Sequence, residues 1–227
     1  MRTWDNLKNT ISMAFGLSLY GVGNTMVDSC GSLGKMDVEL CARWMQMASF
    51  LPMVRNYYNE TYTDPVSGEK APTDPSEPNA FAVDFDYQVA YTSAISNRLP
   101  FMRYIYSQLY YAYRYGAAVV RPHFYDYPED DNAFYNPEHT YMLGDSVKVS
   151  PILTKGVKEG DTFDVYFPQG LWHDLNDMKT VIDTTAGGSY QKLTASNTNT
   201  NIHLKGGKII PYQKNTNGLK TTKDFET

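Results

Sequence analysis

A chain of 227 residues with 42% hydrophobic and 20% charged side chains is long enough for one sizeable domain or two small ones with a buried core. Its formal net charge of −5 speaks against nucleic acid and anionic membranes as partners, because both select for clustered Lys and Arg. No apolar run nears the roughly 20 residues of a bilayer span, and the polar start lacks the apolar stretch of a signal peptide.

Leu7, Ile11, Phe15 and Leu17 recur at helical spacing and predict an amphipathic helix over 4–18. Leu19–Val27 then reads as a strand, interrupted by Gly21, Gly23 and Asn24. Asp37 is placed to cap a helix over 38–49, on which Val38, Cys41, Trp44, Met45 and Ala48 share one face. Leu51–Arg55 reads as the next strand, and the order strand, helix, strand implies a parallel pair joined by a crossover. Residues 60–82 carry four prolines among polar side chains and read as a long surface loop. A helical region over about 84–115 follows, kinked near Pro100, with Met102, Ile105, Leu109 and Tyr113 at helical spacing and Gly116 as its stop. After Gly116 the period falls to two. Ala118–Tyr125, Ser146–Leu153, Thr162–Phe167, Val181–Asp183 and Asn201–Ile210 read as strands of an antiparallel sandwich or half-barrel. The fold class is α/β followed by all-β, divided into 1–117 and 118–227.

Two stretches of the first half carry a resemblance. Gly21–Gly34 (GVGNTMVDSCGSLG), running into Cys41-Ala-Arg-Trp44, and Leu51–Asn59 (LPMVRNYYN) resemble the last two strands of the catalytic barrel in glycoside hydrolase family 31, the α-glucosidases and their relatives. Ala118–Pro122 with Tyr127-Pro128, then Leu143–Leu153, Tyr166–Leu175 and His203–Pro211, resemble that family's exit from the barrel and its proximal β-domain, in order. The resemblance runs from Trp4 to about Tyr212. It implies the C-terminal portion of a (β/α)8 TIM barrel, its last two strands and helices, followed by an antiparallel β-sandwich.

It also implies part of a retaining α-glucosidase that removes terminal α-linked glucosyl residues through an Asp nucleophile and an Asp acid/base, with no metal or organic cofactor. Both carboxylates align upstream of Met1. No catalytic residue is therefore expected in this chain, and the chain alone is expected to be inactive. Two strands cannot close a barrel, so an upstream polypeptide, from the same gene or as a complementing chain, is the expected partner. The family's usual location implies the secretory pathway, a lysosome or the extracellular space.

The site residues follow from the same match. Asp28 corresponds to an acid near the sugar subsite at a barrel strand end; an acid there equally suits a loop cap or an arginine partner. Arg55 corresponds to a residue that either orients a carboxylate or holds the barrel rim together. Tyr57 stands where the family has a sugar-binding His, and Ser32 where it often has a subsite aromatic. Cys30 and Cys41, with no His cluster beside them, are weak grounds for a metal site, and none is expected. The matching family positions form a disulfide beside the active site; two reduced buried thiols are the alternative. Asn59-Glu60-Thr61 is a glycosylation sequon.

Nineteen tyrosines suit sugar stacking, but most are expected to fill a wide core with the hydroxyl bonded. Asp126, Glu129, Asp130 and Asp131 form an acidic turn expected to be a solvated face. His173 and His203 are expected to be structural or surface residues, and Trp172 a core residue. The altered subsite positions also fit a second class of function, a non-catalytic structural or carbohydrate-binding protein derived from a glycosidase. A stand-alone sugar-binding β-module would instead show exposed aromatics in a row on one sheet face.

Overall fold

The computed structural model describes residues 2–32, 36–57, 63, 65, 68 and 85–213. Helix α1 (Trp4–Leu19) begins where the Thr3 hydroxyl accepts the Asn6 N–H, with Asp5 in the positively polarised first turn. Leu7, Ile11, Ala14 and Phe15 bury one face, whereas Leu17 lies on the exposed side despite its spacing. The strand expected from Leu19 is shorter and later. Gly21 takes a left-handed φ of 88° just past the helix end, and strand β1 is confined to Met26–Ser29.

Helix α2 (Val38–Ala48) is capped by Asp37, whose carboxylate accepts the Leu40 N–H at 3.1 Å. Every side chain from Glu39 to Ala48 is buried, so α2 is packed on all sides rather than along the single expected face. Strand β2 (Met53–Asn56) pairs with β1 in parallel, placing Asp28 opposite Arg55. The sequon at Asn59 lies outside the described residues, as does the expected 60–82 loop apart from Thr63, Pro65 and Gly68. Helix α3 (Phe85–Arg98) and helix α4 (Met102–Tyr115) flank a 3-10 turn at Leu99–Phe101, where Pro100 breaks the α-helical ladder. Gly116, at a left-handed φ of 70°, returns its N–H to Ala112 O and ends α4. Tyr113, assigned by spacing to the inner face, is 87% exposed.

In the second half, the strand expected over Ala118–Tyr125 is reduced to β3 (Val120–Arg121). Pro122 has no N–H for a ladder and instead caps the short helix α5 (His123–Asp126). The remaining strands are β4 (Tyr141–Leu143), β5 (Val147–Ser150), β6 (Thr162–Phe167), β7 (Leu171–Asp174), β8 (Val181–Asp183), β9 (Ser189–Thr194) and β10 (Asn201–Lys205). Six form an antiparallel sheet in the order β3-β4-β5-β10-β7-β8, and β6 pairs with β9 as a separate ribbon. Met142, Trp172, Phe167, Val165 and Leu193 pack ribbon against sheet, with Trp172 fully buried.

A single apolar cluster joins both halves. It runs from Leu7 and Ile11 of α1 through Trp44 and Met47 of α2 to Val120, Tyr141 and Val149 of the sheet. Beside it, Arg43 is fully buried. Its Nη1 donates to Gln46 Oε1 (2.9 Å) and Ser196 O (3.0 Å), and its Nη2 donates to Val157 O (2.9 Å) and Asn197 Oδ1 (2.8 Å). Gln46 Nε2 adds bonds to Ser196 O and Asn197 O. One helical turn thus satisfies the backbone of two β-domain loops. Arg43→Met should lower the unfolding free energy by about 3 kcal/mol or more, because buried carbonyls lose charge-assisted partners. Denaturant titration checks this, and a loss below about 1 kcal/mol would contradict it.

The β-domain core also holds Lys148, fully buried, with Nζ 2.7 Å from Ser150 Oγ and 4.1 Å from the Phe167 ring centre. His203 stacks edge-on to Phe167, and burial, aided by Lys148 and weakly opposed by Asp177, pushes its imidazole down to about 3. His123 is lowered in the same direction by burial and Lys148. The unfolded chain binds these protons near pH 6.5 while the folded chain excludes them. The stability they contribute is therefore present above about 6.5 and is lost as pH falls towards the folded value. His203 should cost on the order of 2 kcal/mol between pH 7 and 4.5, and His203→Phe should flatten that slope in denaturation series across pH.

Candidate functional site

Asp28 and Arg55 face each other across the two parallel strands, near their C-terminal ends, where βα units open their loops. Arg55 Nε donates to Asp28 Oδ1 at 2.5 Å. That bond is the main cause raising the Arg55 guanidinium further above its ordinary value. Asp28 Oδ2 receives no bond from the described residues and stays open to a ligand donor. The Arg55 guanidinium lies 4.9 Å from the centre of the Tyr57 ring, a cation–π contact at an exposed edge.

Immediately after Asp28 the chain reverses. Cys30 and Gly31 both take left-handed φ values, 66° and 69°, and the Gly31 N–H bonds back to Asp28 O at 3.2 Å. The Cys30–Cys41 disulfide ties this turn to α2, as the resemblance implied. From the other side, Arg98 donates to Ser49 O, Leu51 O and Pro52 O, fixing the approach to β2. The buried Tyr91 of α3 donates its hydroxyl to Asn56 Oδ1 at the strand end. Both strand ends are therefore held by groups other than their own ladder.

A cleft of about 510 Å³ opens here, lined by Asp28, Gly31, Ser32 and Arg55 on the strand side. Three of the four expected substrate-binding residues thus meet in one place. Tyr57 stands beside them, half exposed, and touches the group through Arg55. The opposite wall is α1, which contributes Asn6, Asn9, Thr10 and Met13. These four escaped the sequence reading because a polar helix face reads as solvated. Their spacing of i, i+3, i+4 and i+7 nevertheless marks one stripe. The cleft is rich in amide, hydroxyl and carboxylate groups, which suits hydrogen bonding to a polyhydroxylated ligand.

Other expectations change. Asp126 and Asp130 of the acidic turn are half-buried and bonded rather than simply solvated: Arg121 Nη1 donates to Asp126 Oδ1 at 3.0 Å, and the Tyr166 hydroxyl donates to Asp130 Oδ2 at 2.5 Å. Glu129 and Asp131 are exposed, as expected of the turn. Tyr91, Tyr104, Tyr141 and Tyr166 fill the core, but most of the described tyrosines are exposed, among them Tyr106, Tyr110, Tyr113 and Tyr115 of α4. Among the described residues no three His, Cys, Asp or Glu side chains converge on a metal position, and no helix is long and apolar enough to cross a membrane.

The profile of the "Glycosyl hydrolases family 31 TIM-barrel domain" matches residues 1–108, and that of the "Glycosyl hydrolase family 31 C-terminal domain" matches 116–210. An alpha-glucosidase of Hordeum vulgare is 32% identical over 221 residues, covering 93% of this chain and 22% of its own length. The lysosomal alpha-glucosidase of Bos taurus is 29% identical, covering 92% of this chain and 22% of its own length. The cycloalternan-forming enzyme of Listeria monocytogenes superposes with a TM-score of 0.77 at 27% identity, covering 94% of this chain and 19% of its own. A family 31 dextranase of Flavobacterium johnsoniae shares the fold, with a TM-score of 0.76 at 22% identity over 92% of this chain and 24% of its own. The chain spans about a fifth of the length of these relatives. A TIM-barrel portion followed by an antiparallel β-domain, the architecture expected from the sequence, is its fold. The chain belongs to glycoside hydrolase family 31.

Proposed function

We propose that this chain supplies one wall of the sugar subsite of a retaining α-glucosidase acting on terminal α-linked glucosyl residues. The observation that carries the reading is the Asp28–Arg55 pair, which leaves one carboxylate oxygen open on the cleft. A carboxylate held in one orientation accepts a sugar hydroxyl without reorganising, which favours the transition state over an unpositioned substrate. Arg55 and the Cys30–Cys41 turn position Asp28, and Tyr57 backs Arg55.

The chemistry needs two further carboxylates. One attacks the anomeric carbon to form a glycosyl-enzyme as the other protonates the leaving oxygen; that second group then deprotonates the water that releases the sugar. Asp28 is occupied by Arg55, so these groups are assigned to another segment, one that also completes the barrel. The reading is supported by a parallel sheet that has only two strands among the described residues and by relatives about five times longer. The names of the relatives, lysosomal and intestinal among them, support the secretory route for this protein as well.

The second reading, a carbohydrate-binding or structural protein without catalysis, draws on Ser32, which offers no stacking face at the cleft. In the natural polypeptide, Asp28→Asn should lower kcat/KM for maltose hydrolysis by about a hundredfold while the melting temperature holds. An unchanged kcat/KM would overturn the subsite assignment. A wild-type protein that binds maltose without hydrolysing it, and loses that binding with Asp28→Asn, would establish the second reading instead. Replacing both Cys30 and Cys41 by Ser should cost about 2–3 kcal/mol of stability, readable by denaturation with and without reductant. No difference between the two conditions would show that the turn is held without the disulfide.

A further inference from the structure

A second cleft, of about 250 Å³, lies between the first half of α1, the connection around residues 123–140 and the β6–β9 ribbon. It shares no lining residue with the Asp28 cleft. On its buried side stands His123, 4% exposed, with Nε2 2.7 Å from Thr140 Oγ1. The other ring nitrogen, Nδ1, is buried and has no protein partner, although a buried polar atom ordinarily has one. At the mouth are two exposed rings, Tyr135 and Tyr190.

The platform is held in place. Tyr190 leans on Tyr166 with centroids 5.3 Å apart, and the Tyr166 hydroxyl is anchored on Asp130. On the other side, Asn136 adopts a left-handed φ of 47° that starts the 3-10 turn at Pro137–His139. Fixed rings lose little freedom when a ligand stacks on them.

The chemistry of the lining narrows the ligand. A volume of about 250 Å³ holds one ring-sized molecule and excludes a folded peptide. Lys8 and Asp164 give the lining one charge of each sign, so its net charge favours neither an anion nor a cation. Aromatic faces carry negative charge density and attract the C–H face of a saturated ring. A sugar hydroxyl both donates and accepts, so it can pair with either end of the Asn132 and Asn136 amides and with the Thr154 hydroxyl, which line the cleft.

We propose that this cleft is a second carbohydrate-binding site, taking one neutral pyranose unit against Tyr135 and Tyr190 with its hydroxyls on the side chains of Asn132, Asn136 and Thr154. The assignment rests on the cleft's own lining and does not require the Asp28 cleft to be a subsite.

The probe is a sulfur-linked maltose analogue that resists hydrolysis, titrated against the natural polypeptide and followed by ligand-observed NMR. Tyr135 and Tyr190 are exposed, so Tyr135→Ala and Tyr190→Ala leave the core intact; matched melting curves confirm it. Each should weaken binding by about tenfold, while Asp28→Asn leaves that component of binding in place. Binding that ignores both tyrosine substitutions but vanishes with Asp28→Asn overturns the proposal and leaves the Asp28 cleft as the sugar site. No detectable binding in wild type up to about 10 mM overturns it too. Tyrosine-dependent binding in a protein whose hydrolysis ignores Asp28→Asn keeps this site while removing the subsite reading.

Discussion

Arg43 carries four hydrogen bonds from a fully buried position, and three of them reach loops more than a hundred residues away in sequence. Burying a guanidinium is expensive, and burial lowers its pKa accordingly. The cost is offset because both terminal nitrogens, Nη1 and Nη2, meet two oxygens each. Glu39 adds to the same seam by accepting the Gly156 N–H, and Thr200 donates its hydroxyl to Gln46 O. With the shared apolar cluster of α1, α2 and β3–β5, this seam makes the two halves one packed body. Helix α2 therefore cannot shift without breaking the β-domain loops, and Cys41 on α2 anchors the turn that follows Asp28.

That chain of constraint explains how two short strands keep a defined site. An isolated pair of parallel four-residue strands is marginal. Here its ends are pinned from outside the ladder: Arg98 binds three carbonyls ahead of β2, Tyr91 holds Asn56, and the disulfide holds the turn after β1. In the β-domain, Lys148, His123 and His203 are buried, and none of them has an ion-pair partner among the described residues. Burial lowers the pKa of all three, and Lys148 lowers the two histidines further. The acid sensitivity of the fold is thus concentrated in the sheet, away from the Asp28 strand end.

Local signals in the sequence were sufficient where one interaction decides the structure. Asp37 caps α2, Pro100 breaks the long helix and Gly116 ends it, because each depends only on its own neighbours. The strand expected over Ala118–Tyr125 failed because Pro122 outweighs the β-branched run before it. Strands β4, β7 and β9 are not among the strands read from the sequence, and each draws its pairing from other strands rather than from its own residues. Asp28, Arg55 and Ser32 were legible through a family match to strand ends. The α1 wall of the cleft was not, since Asn6, Asn9 and Thr10 carry no signal that separates a ligand-facing stripe from a wet one. The acidic turn misled for a related reason: composition cannot show that Arg121 and Tyr166 wait beside it.

The two departures from the family pattern acquire a physical meaning from their positions. Tyr57 is placed over the Arg55 guanidinium, so its ring face is engaged with a cation and its hydroxyl alone is left to meet a ligand. A histidine at that position would add a titrating donor; a tyrosine instead strengthens the hold on Arg55 and hence on Asp28. Ser32 follows a turn already locked by Cys30 and Gly31, and its small side chain widens the cleft towards α1 instead of walling it with a ring. Loss of a stacking face weakens hold on the sugar's C–H surface, while a better-fixed carboxylate strengthens hold on one hydroxyl. On the proposed subsite reading, recognition at this cleft would shift from stacking towards oriented hydrogen bonding, with the amide stripe of α1 as the second source of polar contacts.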